Sequence, residues 1–382
     1  MKPSEVAGRT ATGAVRVSWR DDVITSISPI DTESDLPLLA PGLVDLQVNG
    51  YNGLDVNAET VTPDTIVGLS HLLASHGVTT WLPTIITASE DRITHALRCV
   101  AQARDADPVV ARAVPTTHVE GPFISDRQGA RGVHDPTFVR PLDPAEVARW
   151  QRAGPVGIVT ISPHGEGTPT LVREIVASGI TVAIGHTHAT PDEVTAAVDG
   201  GATLSTHLGN GISTTLPRHP NVIWRQLADN RLSAGLIADG HHLPFDTLEV
   251  MLRAKGPGRA FLVSDTTEIG GRPAGRYRTA VGAEVELNAH LRLSEVGSDL
   301  LAGAAATLLD GVRNVAANTS LTPAAALNLA TRNPARLIPG GRPGAGELRV
   351  GGPADFLLLG PGPVGTPPMA VVQSGRWVRG AS

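Results

Sequence analysis

The strongest constraint in this sequence is a series of eight short apolar runs that alternate with segments of helical pattern. Most of the intervening segments repeat their apolar residues at helical spacing, and residues 143–146 (DPAE) and 190–193 (TPDE) carry helix-start signals. Buried parallel strands read as apolar runs, and eight of them alternating with helices predict a (β/α)8 barrel. The predicted strands are LLAPGLVDLQVNG, GVTTWLPTI, AVPTTHVE, VGIVTISP, ITVAIGHT, ATLSTHL, SAGLIADG and GRAFLVSD.

The length of the chain leaves room for a second, smaller unit. Its 382 residues exceed the roughly 250 that a minimal barrel needs. Residues 1–39 and 340–382 contain short alternating runs separated by turn residues, and each flank is too short to fold alone. The sequence therefore predicts an α/β fold, with a TIM barrel over residues 40–339 beside a small β-sandwich domain formed by residues 1–39 and 340–382.

Composition narrows the classes of partner. Lys and Arg number 31 against 37 Asp and Glu, a net charge of −6, which argues against nucleic acid and acidic membranes as partners. Cys99 is the only cysteine, which excludes an intrachain disulfide and favours a reducing compartment. The first residues lack the apolar core of a signal peptide, and no run of about 20 apolar residues is present. We therefore expect a cytoplasmic protein that acts on a small molecule.

Four polar residues close four of the predicted strands: Glu120, His186, His207 and Asp265. The carboxyl ends of barrel strands meet at one mouth, so these side chains should converge there. A carboxylate and two imidazoles suit a divalent metal with an open position for water, most favourably Zn²⁺, with Fe²⁺, Co²⁺ or Mn²⁺ also acceptable. Asp265 would then transfer a proton from that water to a leaving amine. The alternatives are a solvated rim residue for Glu120 and a helix N-cap for Asp265.

The end of the first predicted strand argues for one metal ion rather than two. Many two-metal barrel hydrolases place His-x-His there, whereas this chain has Gln47 and Asn49, whose neutral amides are weak ligands for zinc. The fourth strand ends in SPH and offers no lysine for a bridging carbamate. Further polar residues lie in the loops at the predicted mouth; His242 and Arg218 are either anion-binding or ordinary surface residues.

These motifs together resemble the amidohydrolase superfamily and, within it, the N-acetylglucosamine-6-phosphate deacetylases. The resemblance rests on HVEGPF, GHTHAT, THLGN, IADGHH and NPAR and covers nearly the whole chain. It implies that Glu120, His186 and His207 are metal ligands and that Asp265 is the catalytic acid and base. The Gln-x-Asn sequence of the first strand also occurs in the single-metal branch of that family.

The resemblance further implies residues that bind substrate. His134 would contact the substrate near the scissile amide, and Asn210 with Gly211 would contact sugar and phosphate. Arg218 and His242 would bind the phosphate, the histidine across a dimer interface, so a homodimer is expected. The chain departs from the family pattern around the sugar pocket, at residues 209–212 (GNGI), 218–221 (RHPN), 266–277 and 301–304.

The sequence thus predicts a metal-dependent deacetylase that hydrolyses the N-acetyl group of N-acetylglucosamine 6-phosphate by attack of metal-activated water, in amino sugar catabolism. The altered loops motivate an alternative, an amidohydrolase that deacylates a different N-acyl amino sugar, an aminocyclitol or an amino acid. A third hypothesis is a non-catalytic binding barrel.

Overall fold

The computed structural model describes residues 4–31, 35–279, 282–298 and 300–380. At its centre lies a parallel eight-stranded sheet whose strands neighbour one another in chain order. The last strand returns to the first, because Val48 and Thr266 form a parallel bridge, so the sheet closes into the predicted barrel. The barrel strands are Leu43–Val48, Val78–Ile86, Thr117–Glu120, Val156–Ile161, Thr181–Ile184, Leu204–Ser205, Ser233–Ile237 and Ala260–Val263. A short hairpin, Gly50–Tyr51 with Leu54–Asp55, follows the first of them.

Helices surround the barrel, and their starts follow the sequence signals in part. Thr190 and Glu193 form the predicted capping box, with the Glu193 carboxylate accepting from the Thr190 amide at 2.7 Å. Asp143 also caps its helix, but Glu146 binds the Arg140 guanidinium at 2.9 Å instead of closing a box. The α-helices are Pro63–Ser75, Glu90–Ala106, Pro108–Ala113, Pro144–Ala153, Thr168–Ala177, Pro191–Asp199, Val222–Ala228, Phe245–Lys255, Leu308–Asn318, Pro323–Leu329 and Arg332–Ala335, with a 3-10 turn at Pro136–Phe138. Within the described ranges, none of the helices combines the length and apolarity needed to cross a membrane.

The two ends of the chain build one seven-stranded sheet beside the barrel. Leu38–Pro41 is its central strand and pairs with Phe356–Leu359 on one side and with Ser4–Thr10 on the other. Trp19 anchors the apolar face, with its ring 5.1 Å from that of Phe356. In spatial order the strands are Arg376–Arg379, Ala370–Gln373, Phe356–Leu359, Leu38–Pro41, Ser4–Thr10, Gly13–Arg20 and Val23–Pro29.

The segment after the eighth barrel strand contradicts the alternative in which Asp265 is the N-cap of a helix. No helix begins there; residues 264–274 form bends and turns that lead into an antiparallel three-stranded sheet. Its strands are Gly275–Arg278, Glu284–Leu287 and Leu293–Glu295. Val285, Leu287 and Leu293 pack with Ile269 into a separate small core, which holds this inserted sheet against the barrel mouth.

A buried carboxylate joins the first barrel strand to the eighth. Asp45 accepts hydrogen bonds at Oδ1 from the backbone amides of Gln47 and Ser264, each at 3.2 Å, and the part of the structure that is described offers no partner to Oδ2. Burial raises the pKa of Asp45 to about 7, against the effect of these hydrogen bonds. The ionised form is therefore disfavoured in the folded protein.

We expect Asp45→Asn to change how stability depends on pH. Because the folded pKa is raised from 3.8 to about 7, the contribution of Asp45 to stability is full below pH 4 and is lost as pH rises through 7. The free energy of unfolding of the variant minus that of wild type should increase by about 2–3 kcal/mol between pH 5 and pH 8. Urea titrations at both pH values measure this difference. Asp91→Asn, at an exposed position, is the control, and a pH-independent difference for Asp45→Asn would contradict the prediction.

Candidate active site

Three of the residues that close barrel strands meet at one buried point. The Glu120 Oε1 atom lies 2.9 Å from Nε2 of His207 and 3.3 Å from Nε2 of His186, and the two imidazole nitrogens are 3.1 Å apart. All three side chains are buried, and one ligand atom from each lies within 4.8 Å of the others. Strands three, five and six therefore deliver a carboxylate and two imidazoles to one locus, as the sequence predicted.

Unusual backbone conformations direct these side chains into the mouth. His186 has φ of 46°, His207 of 25° and Asp265 of 52°, all in the left-handed region. Such conformations in non-glycine residues cost on the order of 1–3 kcal/mol each and persist only where the surroundings impose them. The carbonyl of His186 accepts from the Ser125 amide at 2.9 Å, and the amide of Asp265 donates to the Gln47 carbonyl at 2.9 Å. Hydrogen bonds to neighbouring loops and strands thus stabilise these strained backbone conformations.

The donor set fits a divalent metal ion. His186 uses Nδ1 to donate to the carbonyl of Ala130 at 2.9 Å, which directs Nε2 at the other ligand atoms and makes Nε2 the nitrogen that a metal ion would take. Burial would raise the pKa of Glu120, but the hydrogen bonds from the two histidines hold it well below its usual value. Burial would lower the pKa of His207, but the hydrogen bond and charge of Glu120 raise it to about 9. The locus therefore favours positive charge, which a divalent cation supplies.

The amides at the end of the first strand bind the two carboxylates of the site. Gln47 donates through Nε2 to Oε1 of Glu120 at 2.9 Å. Asn49 donates through Nδ2 to Oδ1 of Asp265 at 2.8 Å. These side chains thus orient a candidate ligand and a candidate proton carrier, a role that the sequence did not reveal.

Asp265 is buried beside the three candidate ligands. Burial, followed by the negative charge of Glu120, raises its pKa to about 6, while His207, His242 and the Asn49 hydrogen bond act in the opposite direction. A carboxylate with a pKa near neutrality can both accept and release a proton at physiological pH. The arrangement therefore supplies a site for a metal ion and, next to it, a group that can exchange protons.

His134 completes the inner wall of the mouth. Its ring centroid lies 4.2 Å from that of His186, and its Nδ1 is 2.8 Å from the Thr87 hydroxyl. Burial, with the nearby His186, holds the pKa of His134 well below its usual value, so the imidazole is neutral. His134 also lines a cavity of about 580 Å³ between the loops after the first three strands and the inserted sheet.

The residues predicted to bind sugar and phosphate are brought together only in part. Asn210 lies next to the ligands, with its Nδ2 donating to the carbonyl of His207 at 3.3 Å. Gly211 has φ of +57°, and an added Cβ would lie 2.8 Å from Nδ1 of His186, so a side chain there would press on that ring. Arg218 lies in an exposed loop, and its guanidinium has no hydrogen bond or ion pair to any described residue.

His242 is held at the mouth of its own barrel by an acidic partner. Its Nδ1 lies 2.7 Å from Oδ2 of Asp239, and both side chains are buried. Burial would raise the pKa of Asp239, but the hydrogen bond with His242 lowers it to about 2, so this carboxylate stays ionised. Sequence reasoning had missed Asp239, although its position three residues before His242 in IADGHH was a local signal for such a pair.

Sequence reasoning also missed a polar layer beneath the candidate ligands. His118 lies two residues before Glu120 and binds the Thr160 hydroxyl through Nε2 at 2.7 Å, and Thr160 binds Thr206 at 2.6 Å. Burial lowers the pKa of His118 to about 4, so it is a neutral structural residue. The H-x-E spacing was visible in the sequence, but the hydroxyl groups come from strand four and from the residue that follows strand six, and they carry no local signal.

Comparisons with known proteins agree with this geometry. The profile of the amidohydrolase family matches residues 38–381. An N-acetylgalactosamine-6-phosphate deacetylase of Escherichia coli O157:H7 is 32% identical over 348 residues, which are 90% of this chain and 89% of the relative. An N-acetylglucosamine-6-phosphate deacetylase of Danio rerio is 32% identical over 340 residues, 86% of this chain and 82% of the relative.

A solved structure extends the similarity to the whole fold. It is a mutant N-acetyl-D-glucosamine-6-phosphate deacetylase from Mycobacterium smegmatis in complex with N-acetyl-D-glucosamine-6-phosphate. The TM-score is 0.85 at 27% identity, over 96% of this chain and 95% of that one. The resemblance drawn from the sequence motifs is thereby confirmed.

Proposed function

The chain belongs to the amidohydrolase family, and from this we propose that it hydrolyses the N-acetyl amide bond of an amino sugar 6-phosphate, N-acetylglucosamine 6-phosphate first among them. The observation that carries the proposal is the buried Glu120–His186–His207 group beside Asp265, all at the carboxyl end of one barrel. Deacetylases of N-acetylglucosamine 6-phosphate and of its galactosamine counterpart occur among relatives of similar identity. The choice between the glucosamine and the galactosamine configuration is therefore a separate part of the proposal.

Glu120, His186 and His207 would hold one divalent ion, Zn²⁺ in the first place, with Fe²⁺, Co²⁺ and Mn²⁺ as alternatives. When bound, such an ion polarises a carbonyl and lowers the pKa of water. Gln47 supports the single-ion proposal, because its amide donates to Glu120 where a second imidazole ligand would otherwise stand. The family is metal-dependent, and the donor set of this chain suits that requirement.

Asp265 would accept the proton of the attacking water and deliver it to the nitrogen of the leaving amine. Its raised pKa suits both steps at neutral pH. The neutral His134 would stabilise the negative charge that develops on the carbonyl oxygen by donating from Nε2, in the tautomer in which its Nδ1 accepts from the Thr87 hydroxyl. Both groups line the mouth beside the candidate metal ligands.

Asn210, Gly211, Arg218 and His242 would bind sugar and phosphate. His242 is fixed by Asp239 at the mouth, whereas Arg218 lies exposed. A homodimer is the arrangement we propose for completing the phosphate site, in which Arg218 and His242 would come from different copies and meet at one phosphate. The exposure of Arg218 equally favours the second candidate function, the deacylation of an N-acyl substrate without phosphate.

Arg218→Ala separates the two candidates. If the substrate carries phosphate, the variant should lose about 1.5–3 kcal/mol of transition-state stabilisation, which is roughly a 10- to 150-fold fall in kcat/KM. The unphosphorylated analogue should react almost as before. Acetate release from both sugars measures the effect, with Arg173→Ala on an outer helix as the matched control. Equal losses on both sugars, or no preference of wild type for the phosphorylated one, would favour the second candidate.

A further inference from the structure

The side-chain amide of Asn49 forms a hydrogen bond through its nitrogen, whereas its oxygen has no hydrogen-bond partner among the described residues. The Nδ2 atom donates to Oδ1 of Asp265 at 2.8 Å. The Oδ1 atom of Asn49 is buried, and none of the described residues donates a hydrogen bond to it. A buried acceptor without a donor is costly, and most such groups in native proteins have a protein or ligand partner. The free oxygen is therefore a candidate contact for a bound molecule.

The orientation of this amide is determined by its neighbours. Exchanging its nitrogen and oxygen would point a carbonyl oxygen at the Asp265 carboxylate and remove the hydrogen bond. The backbone is fixed as well, since the amide of Asn49 donates to Thr266 and its carbonyl accepts from Val56, both at 2.9 Å. Asn49 thus holds an acceptor oxygen in a fixed position on the same amide group that binds the Asp265 carboxylate.

The chemistry of the site selects what can bind there. An acceptor beside a carboxylate repels another acceptor and takes a donor. In the proposed reaction, the substrate group that must approach Asp265 is the nitrogen of the scissile amide, and in a secondary amide that nitrogen carries one N–H. We propose that Asn49 is a specificity-determining residue that accepts this N–H through Oδ1 while it holds Asp265 through Nδ2.

This contact, which rests on the proposed function, would orient the nitrogen for protonation. As the water oxygen bonds to the carbonyl carbon, the C–N bond breaks and its electron pair stays on nitrogen. The proton taken from water by Asp265 passes to that nitrogen, giving an amine and a carboxylic acid, and the acid then loses its proton to give a carboxylate and an ammonium ion. With its N–H held by Asn49, the nitrogen presents its developing lone pair to the carboxyl group of Asp265, which at this point carries the proton taken from water. The chain would therefore prefer secondary over tertiary amides.

Two substitutions of one residue separate this role from the positioning of Asp265. Asn49→Ala and Asn49→Asp both lose the hydrogen bond to Asp265, but only Asn49→Asp keeps an acceptor oxygen. The substrates are the N-acetyl sugar phosphate and its N-methyl-N-acetyl analogue, which lacks the N–H but needs the same protonation. The wild-type ratio of kcat/KM for the two should fall about tenfold or more in Asn49→Ala and stay within about threefold in Asn49→Asp.

A binding measurement supplies a readout other than turnover. In an Asp265→Ala background, calorimetry should show that Asn49→Ala weakens the N–H substrate about tenfold and leaves the N-methyl analogue unchanged. Asn57→Ala is the matched control, because Asn57 is half-buried at the same barrel end and both sides of its amide bind backbone. Metal content and thermal unfolding establish that each variant is folded.

The possible outcomes distinguish failure of this inference from failure of the proposed function. A wild-type ratio retained in Asn49→Ala would overturn the inference alone, leaving Asn49 as a positioning residue for Asp265. Loss of the ratio in Asn49→Asp as well as in Asn49→Ala would also overturn it, since an acceptor would then be irrelevant. Absence of turnover of both substrates by wild type, together with absence of binding, would overturn the proposed function and the inference with it.

Discussion

Asp265→Asn is expected to lower kcat by about 10²- to 10⁴-fold, the usual contribution of general acid–base catalysis. The amide can neither take a proton from water nor deliver one to nitrogen, yet it has nearly the same shape as the carboxylate. Because the three candidate metal ligands remain, metal content and thermal unfolding should stay close to wild type. Acetate release under saturating substrate measures kcat, and Asp126→Asn, at an exposed site in the loop after the third strand, is the control.

The dependence of kcat/KM on pH is a second test of the role of Asp265. The pKa of Asp265 is raised to about 6 by burial and by Glu120, so the carboxylate is ionised above pH 6 and becomes protonated below it. The kcat/KM of wild type should therefore fall as pH drops through about 6. That limb should be missing from the residual activity of Asp265→Asn. If the variant retains more than about a tenth of wild-type turnover, Asp265 is not the proton carrier.

His207→Ala is expected to abolish metal retention and, with it, activity. Wild type should hold about one divalent ion per chain, since a third of the donor set comes from each of Glu120, His186 and His207. With two ligands left, the variant should retain less than about a tenth of an equivalent after dialysis, because two donors hold a divalent ion far more weakly than three. Elemental analysis measures the metal directly.

Thermal unfolding tests the same substitution independently. Ligands that bind only the folded state stabilise it by mass action, at about 2.7 kcal/mol for a hundredfold excess over Kd. Adding Zn²⁺ to stripped wild type should therefore raise Tm, and adding it to His207→Ala should not. His188→Ala, at a histidine whose Nδ1 binds Ser125, is the control that should keep its metal. Two tightly held ions in wild type, or unchanged metal in His207→Ala, would contradict the prediction.

The barrel and its converging residues were readable from the sequence because their signals are local. Parallel strands buried on both faces appear as apolar runs, and a polar residue closing such a run marks the mouth. The contacts that tune the site are not local: Gln47 reaches Glu120 across 73 residues, and Asn49 reaches Asp265 across 216. Their spacing in the sequence showed only that imidazoles were missing, and their donor role needed the folded barrel.

The region after the eighth strand shows a different limit. Asp265-Thr-Thr-Glu has the composition of a helix start, yet the Asp265 side chain binds Asn49 instead of a following backbone amide. Among the strands beyond it, Glu284–Leu287 alternates exposed and buried residues, but each of these strands is only three or four residues long. Such short patterns also arise in loops, so tertiary packing decided what local propensity could not.

The sheet built from both chain ends cannot be completed until synthesis of the chain is nearly finished. Trp19 donates its indole N–H to the carbonyl of Gly375, a partner 356 residues later in the sequence. At about 5–20 residues per second, the ribosome needs roughly 20–70 s to supply that partner. During this interval the apolar face around Trp19 has no cover from the closing strands, although every barrel strand is made before the interval ends. The yield of folded protein therefore depends on how well the nascent chain is protected from association during that time, and not only on its final stability.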